Sequence, residues 1–187
     1  MLFQGQEFAS STPFLYFADH RGKLAQQVAK GRHDFLMQFP SLAEVELDQP
    51  GADATFGKCV IDWSERETNA WAVRLHRDLI ALRRSDPILS RVASLRIDGA
   101  TLSDDAFLVR LSDEHAERLL FFNLGRDWSP HIFPEPLLAP PADASWRLLW
   151  SSEHPAYGGG GIRAPVDPSG CWYVQGCAAF VLAAERL

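Results

Sequence analysis

The first twenty residues constrain the fold of this chain more than any other stretch. The chain starts with hydrophobic residues that lead into Gly5 and polar side chains, and a second aromatic segment over residues 10–20 ends in Asp19 and His20. This pattern is typical of a buried parallel strand that opens into a functional loop. Because such a strand needs a neighbour on each edge, the stretch predicts the last part of a larger barrel, whose chemistry lies mostly upstream.

Composition and charge argue against several classes of partner. The 187 residues are 47% hydrophobic and 22% charged, as in a globular domain, and the net charge is −6. No block of lysine and arginine interleaves with aromatic residues, so we expect no nucleic-acid partner. No run approaches the roughly 18 apolar residues of a membrane span, and no secretory signal is visible, so we expect no membrane partner.

The cysteines and acidic residues indicate neither a disulfide framework nor a metal site. The chain has three cysteines, Cys59, Cys171 and Cys177, an odd number, and none of them forms a Cys-x-x-Cys pair. This favours reduced thiols in a cytoplasmic protein. The acidic residues between positions 41 and 62 do not have the spacing of a twelve-residue calcium loop. We therefore expect no metal ion and no cofactor.

Apolar spacing predicts helices in the first half of the chain. The strongest pattern is carried by Trp71, Leu75, Leu79 and Leu82, and Asp86-Pro87 ends it. Residues 23–39 also have roughly helical spacing, but Gly31 interrupts it, which predicts two short helical pieces.

The second half has a residue pattern typical of an antiparallel β domain. Short β-type runs, separated by turn residues, lie at residues 95–97, 106–111, 118–124, 146–150, 171–174 and 178–184. They predict a small antiparallel β-sandwich. The chain then divides into residues 1–90, which belong to the barrel, and residues 91–187, an all-β domain. No Lys-Ser/Thr follows the four glycines at 158–161, so we expect a flexible surface connection there rather than a phosphate loop.

Three segments together resemble the end of an α-amylase-superfamily enzyme: residues 2–20, Asp62-Trp63 and residues 79–87. Within that superfamily, the run from Thr12 to His20 is most similar to the malto-oligosyltrehalose trehalohydrolase family. The resemblance implies an α+β chain with the last strand and helices of a (β/α)8 barrel, followed by a small antiparallel β-sandwich. The resemblance covers the whole chain. It is strong to about residue 90, and beyond that residue only the general pattern of short β-type runs is similar.

The resemblance also implies a function. Enzymes of this family are retaining glycoside hydrolases that free trehalose by hydrolysing the α-1,4 bond next to the terminal trehalose unit of maltooligosyltrehalose. Their nucleophilic Asp, acid/base Glu and second Asp lie at the ends of earlier barrel strands, and no position of this chain matches them. The chain is therefore expected to be the C-terminal part of such a hydrolase, without catalytic residues and inactive alone.

Four residues are candidates for contact with a maltooligosaccharide-type substrate in the intact enzyme. Glu7, Phe8, Asp19 and His20 follow the expected barrel strand and would border the sugar site. Alternatively, Glu7 and Asp19 could form the pair of carboxyl groups about 5 Å apart that retaining hydrolysis requires. The sequence supplies no further strands that would hold them at that separation.

Two other functions stay open. The tryptophans of the second half, Trp128, Trp146, Trp150 and Trp172, could make residues 91–187 a non-catalytic glucan-binding or accessory module. The chain could also self-associate by pairing its exposed barrel strand with a second copy.

Overall fold

The computed structural model describes residues 2–42, 47–129, 134–167 and 170–187. They form two compact units, Met1–Ala70 and Trp71–Leu187. The division falls inside the region assigned to the barrel because Leu82, near the end of that region's last helix, packs against the core of the second unit. The assignment of residues 1–90 to a barrel and of residues 91–187 to an all-β domain stays a prediction.

The first unit consists of short helices and extended loops, and its described residues contain no strand. Its helices are α1 (Gly22–Leu36), α2 (Asp53–Lys58) and α3 (Glu65–Thr68), with 3₁₀ turns at Gln6–Phe8 and Pro40–Leu42. Helix α1 continues through Gly31, where the sequence predicts a break. A single glycine costs a helix only about 1 kcal/mol relative to alanine, so it does not have to end one.

The strand predicted at the start of the chain is not formed by residues 2–8. Leu2 and Phe3 are exposed. The chain enters the 3₁₀ turn Gln6–Phe8 through Gly5 (φ 75°) and leaves it through Ala9 (φ 50°), and both conformations are incompatible with an extended strand. A buried parallel strand also needs neighbouring strands, and the described residues of this unit provide none.

The second unit is built on a five-stranded antiparallel sheet preceded by helix α4 (Ala70–Ser85). The strands are β1 (Arg96–Ser103), β2 (Ala106–Ser112), β3 (Glu117–Asn123), β4 (Ala144–Ser151) and β5 (Ala178–Arg186). Their order is β1-β2-β3-β5-β4, and every neighbouring pair is antiparallel. The run predicted as a strand at residues 171–174 makes only isolated bridges, through Trp172 and Val174.

Each face of the sheet carries its own hydrophobic core because successive strand residues point to opposite faces. The first core joins Leu108, Phe121 and Phe180 to side chains from the loops, including Leu138 and Trp172. The second core joins Leu111 and Val181 to Ile88, Leu89 and Leu82, which follow or end helix α4. The antiparallel α+β character is thus confirmed, but the described strands form one sheet covered by a helix and loops rather than two packed sheets.

A buried ion pair joins the end of helix α4 to the sheet. The Asp86 carboxylate accepts hydrogen bonds from the amides of Ile88 and Leu89 and from Arg118 Nε at 2.8 Å. Burial raises the pKa of Asp86, but the Leu89 amide and the Arg118 guanidinium outweigh it, so the pKa lies below its ordinary value. Nearby, the Tyr157 hydroxyl donates to Asp78 on helix α4 at 2.7 Å.

The four-glycine segment is a hydrogen-bonded turn rather than a flexible connection. It closes around Glu153, whose carbonyl oxygen accepts from the Gly161 amide at 2.9 Å and whose carboxylate accepts from the Gly160 amide at 3.1 Å. A Cβ atom on Gly159 would lie 2.3 Å from the Glu153 backbone. The glycine is therefore required by a close approach of two backbone segments.

Candidate functional site

Glu7 and Phe8, the first pair of candidate residues, lie in the 3₁₀ turn of the first unit. Phe8 is fully buried, and its ring centroid lies 5.7 Å from that of Trp63. Glu7 is half-buried, and its carboxylate has no hydrogen bond or ion pair with a described residue. The Phe8 ring therefore supports the turn in this conformation, and its contact with a sugar stays a prediction.

Helix α3 holds the loop that follows this turn. The Glu65 carboxylate accepts hydrogen bonds from the Ser10 hydroxyl at 2.9 Å, the Ser11 amide at 3.0 Å and the Ser11 hydroxyl. One helical turn further on, Asn69 Nδ2 donates to the carbonyl oxygens of Phe8 and Ala9, at 3.0 and 3.3 Å. The hydrogen bonds from Ser11, followed by that from Ser10, hold the pKa of Glu65 below its ordinary value.

An extended segment leads from this loop to the second pair of candidates. Its Leu15 amide donates to Cys59 Sγ at 3.3 Å, and its Ala18 amide donates to the Pro50 carbonyl oxygen at 2.8 Å. These two contacts fix the backbone at Leu15 and at Ala18, so the positions of Tyr16 and Phe17 between them are defined. Asp19 and His20, at its end, are both exposed.

Two cavities open along the extended segment. The first has a volume of about 390 Å³ and is lined by Phe14, Tyr16, Arg32, His33 and Asp48, among others. The second has a volume of about 370 Å³ and is lined by Phe17, Ala18, Asp19, Asp53 and Phe56, among others. Both volumes fall in the range of small-ligand sites, and both combine aromatic faces with polar groups, as sugar sites do.

The structure brings Asp19, but not Glu7, into a cavity. Asp19 lies beside the Phe17 and Phe56 rings, whose centroids are 5.2 Å apart, whereas Glu7 lines neither cavity. Neither carboxylate has a hydrogen bond or ion pair with another described residue that would fix its orientation. The arrangement can therefore contact a sugar through Asp19 and aromatic faces, but nothing in it favours the alternative of a Glu7–Asp19 catalytic pair.

The first cavity contains Arg32, a side chain that the sequence did not single out as a site residue. Its guanidinium lies 5.3 Å from the centroid of the Tyr16 ring and 5.9 Å from that of Phe35. The Arg32-x-x-Phe35 spacing can be read from the sequence and places these two side chains on one face of helix α1. The sequence does not reveal that Tyr16 lies next to them. Asp48, one of the acidic residues between positions 41 and 62, forms an ion pair with Lys58 at 2.6 Å.

The four tryptophans of residues 91–187 pack in or against the cores rather than on an open surface. Trp172 is buried and stacks on Phe121 with centroids 5.9 Å apart. Trp146 packs against the same core and donates its indole N–H to the Leu138 carbonyl oxygen at 2.7 Å. Trp128 and Trp150 pack against the first and the second core, respectively. These positions serve packing and do not favour a glucan-binding surface on the sheet.

Neither a metal centre nor a membrane-spanning helix is found in the described part of the chain. Among residues 2–42, 47–129, 134–167 and 170–187, no three His, Cys, Asp or Glu side chains cluster as metal ligands would. Over the same ranges, no helix combines the length and the apolar character that crossing a bilayer requires.

Comparison with known proteins supports the resemblance seen in the sequence. Residues 95–172 match a family described as a domain of unknown function, DUF3459. The malto-oligosyltrehalose trehalohydrolase of Deinococcus radiodurans is 42% identical over 130 residues, which cover 68% of this chain and 21% of that protein. That of Arthrobacter ramosus is 36% identical over 93 residues, covering 47% of this chain and 16% of that protein. The chain thus matches about a fifth of the length of these relatives.

Solved structures agree at the level of the fold. A putative α-amylase from Salmonella typhimurium is similar over 98% of this chain and 27% of its own, with a TM-score of 0.68 and 20% identity. The trehalulose synthase MutB from Pseudomonas mesoacidophila matches 98% of this chain and 35% of its own, with a TM-score of 0.56 and 16% identity. By sequence, this chain is therefore related to the C-terminal portion of the malto-oligosyltrehalose trehalohydrolases, and its fold is similar to that of a putative α-amylase.

Proposed function

We propose that this chain is the C-terminal part of a glycoside hydrolase that releases trehalose from maltooligosyltrehalose by hydrolysing the α-1,4 bond next to the terminal trehalose unit. The observation that carries the proposal is the 42% identity over 130 residues to a protein named malto-oligosyltrehalose trehalohydrolase. Because this chain covers only 21% of that relative, the activity belongs to the larger protein.

The surface of the first unit supports a role within a larger protein. Its exposed aromatic side chains include Phe14, Phe56 and Trp63, whose exposed fractions are 58%, 55% and 62%. Such a concentration of exposed apolar surface marks a region that meets another protein surface or a ligand. In the proposed enzyme, further barrel elements cover part of this surface and the sugar occupies the rest.

Asp19 and His20 border the sugar in this proposal, with Glu7 and Phe8 nearby. The Asp19 carboxylate can accept hydrogen bonds from sugar hydroxyls, and the aromatic rings beside it offer flat faces to a glucose ring. Retaining hydrolysis requires a nucleophilic carboxylate and a second, protonated carboxyl group about 5 Å away. Asp53 lines the same cavity as Asp19, but neither residue matches a catalytic carboxylate of the family, so in this proposal the chain binds substrate but does not cleave it.

Incubation of the purified 187-residue chain with maltotriosyltrehalose tests the proposal. We expect no trehalose above a boiled control, measured by chromatography. The same gene expressed together with its in-frame upstream codons is expected to release trehalose. Release by the 187-residue chain alone would contradict the inactivity. Failure of the extended protein to release trehalose would contradict the assignment of the reaction.

Self-association and location are separate parts of the proposal. The sequence predicted self-association through the barrel strand, but residues 2–8 form no strand, so we propose that a second copy binds through the exposed aromatic side chains of the first unit. Light scattering after size-exclusion chromatography would detect it, and a monomer at all concentrations would contradict it.

We propose a cytoplasmic location because the sequence indicates reduced thiols, and fractionation of cells with an antibody to the chain would test it.

A further inference from the structure

The loop between the 3₁₀ turn and the extended segment has a conformation that its own sequence does not favour. Ala9 has φ 50°, in the left-handed region that non-glycine residues seldom adopt, and Gly5 has φ 75°. A Cβ atom on Gly5 would lie 2.7 Å from the Ser10 Cβ atom, so the two ends of the loop are in close contact. Such a conformation persists only where surrounding contacts hold it.

Two side chains at opposite ends of α3 provide these contacts: Glu65 is its first residue and Asn69 follows its last. Glu65 accepts three hydrogen bonds from Ser10 and Ser11, and Asn69 donates to the carbonyl oxygens of Phe8 and Ala9. Glu65 therefore binds hydrogen-bond donors of the loop, and Asn69 binds two of its carbonyl oxygens. Hydrogen bonds to a charged carboxylate are shorter and stronger than those between neutral groups, so Glu65 is the main attachment.

The same contacts extend to the start of the segment that lines the cavities. The Ser10 hydroxyl donates to Glu65 and accepts from the Thr12 amide at 3.2 Å. Two residues later, Phe14 lines the first cavity, and its ring meets Phe3 edge-on with centroids 4.9 Å apart. The position of Glu65 thus determines both where Glu7 is presented and where the extended segment begins.

We propose that Glu65 and Asn69 are positioning residues for the sugar site. They hold the Phe8–Ser11 loop in its left-handed conformation and thereby fix Glu7 on one side and the Phe14–Asp19 segment on the other. Neither contacts the sugar. This inference rests on the proposed function, because it assigns their role in that same site.

Two variants test the inference, and one control serves both. Glu65→Ala removes the acceptor, and Asn69→Asp places a carboxylate against two carbonyl oxygens. Glu67→Ala is the control, since Glu67 lies on the same helix, is exposed and has no side-chain hydrogen bond with a described residue. Glu65→Gln restores a neutral acceptor and is the conservative variant.

Two measurements are needed on each variant. Hydrogen exchange should show faster exchange of the Ser10, Ser11 and Thr12 amides in Glu65→Ala and Asn69→Asp, with the amides of strands β2, β3 and β5 unchanged. Titration with maltotriosyltrehalose, followed by tryptophan fluorescence, should show affinity about tenfold weaker than wild type, since Glu65→Ala loses charge-assisted hydrogen bonds and Asn69→Asp sets a carboxylate against carbonyl oxygens. Glu65→Gln should recover part of the affinity, and Glu67→Ala should match wild type.

The outcomes separate the two proposals. If the wild-type chain binds no maltotriosyltrehalose at millimolar concentration, the proposed function fails, and the positioning role fails with it. If the wild-type chain binds and Glu65→Ala binds equally well, the positioning role alone is overturned. Unchanged exchange of the loop amides in Glu65→Ala would overturn the claim that Glu65 holds the loop.

Discussion

The two units of this chain use their aromatic residues in opposite ways. In the second unit, Phe121 and Phe180 are almost completely buried between the sheet and its covering loops. In the first unit, Phe14, Phe35 and Phe56 are each more than half exposed, and helix α1 buries no residue at all. Hydrophobic burial therefore determines the structure of the second unit, whereas hydrogen bonds hold the loops of the first.

This difference shows which unit carries its own stability. Burying a phenylalanine side chain contributes about 1.5–3 kcal/mol, so a unit with two hydrophobic cores has a strong driving force for folding. The first unit lacks most of that contribution, because most of its large apolar side chains other than Phe8 are exposed. This exposed apolar surface supports the proposed role of the unit inside a larger protein.

The largest expected effect is truncation of a core phenylalanine. Phe121→Ala should lower the free energy of unfolding of the second unit by about 4 kcal/mol, because it leaves a cavity in the first core. Phe56→Ala, its counterpart in the first unit, should change stability by no more than about 0.5 kcal/mol. Urea denaturation followed by circular dichroism measures both. Equal losses for the two variants would remove the contrast between the units.

Removal of the buried carboxylate should be almost as damaging. Asp86→Ala leaves the Arg118 guanidinium uncompensated in a buried position, so we expect a loss of about 3 kcal/mol. Asp98→Ala, which breaks the exposed pair with Arg96, should cost less than about 1 kcal/mol. The same denaturation experiment distinguishes them, and similar costs for the two pairs would contradict the buried role of Asp86.

The pH dependence of this pair has a definite sign. Since the folded-state pKa of Asp86 lies below the unfolded value of 3.8, its contribution is present above that pH and is lost as the pH falls through the folded-state pKa. Unfolding of the second unit should therefore become easier in acid. The Asp86→Ala variant should lack that part of the acid sensitivity, and an identical pH profile for variant and wild type would contradict the assignment.

A smaller effect is expected in the glycine turn. Gly159→Ala would place a Cβ atom 2.3 Å from the Glu153 backbone, and such overpacking costs about 1–3 kcal/mol. Gly160→Ala is the matched control, because its Cβ atom would lie 3.6 Å from a Glu153 carboxylate oxygen, an ordinary contact. Thermal unfolding of the two variants measures the difference, and equal melting temperatures would contradict a close backbone approach.

The smallest effect on stability is expected on helix α1. Phe35→Ser should leave the free energy of unfolding within about 0.5 kcal/mol of wild type, since the side chain is 51% exposed. It should nevertheless reduce the binding of a fluorescent apolar dye, because it removes part of the exposed apolar surface. Unchanged dye binding would indicate that this surface is not accessible in solution.

The sequence predicted those features that depend on neighbouring residues. The end of helix α4 at Asp86-Pro87 follows from proline geometry, and the five strands follow from local β patterns and turn residues. The N-terminal strand was wrong because an apolar run does not reveal whether partner strands are present. Likewise, nothing near Asp86 indicates its pairing with Arg118, which lies 32 residues further along the chain.

The candidate site was predictable to a similar degree. Asp19 was singled out from the sequence, and the structure places it in a cavity with two aromatic rings. The side chains that hold the neighbouring loop, Glu65 and Asn69, were not, since their partners are more than fifty residues away. A polar residue on a short exposed helix has no pattern that distinguishes it from an ordinary surface residue.

The strand order has a consequence for how the protein is made. Strand β5 lies between β3 and β4, so a ribosome synthesises both neighbours before it synthesises the strand that joins them. Until β5 is synthesised, β4 has no partner in the sheet. The nascent chain then has an unpaired edge at β3 and incomplete hydrophobic cores. Emergence of β5 from the ribosome should thus allow the sheet to close in a single step.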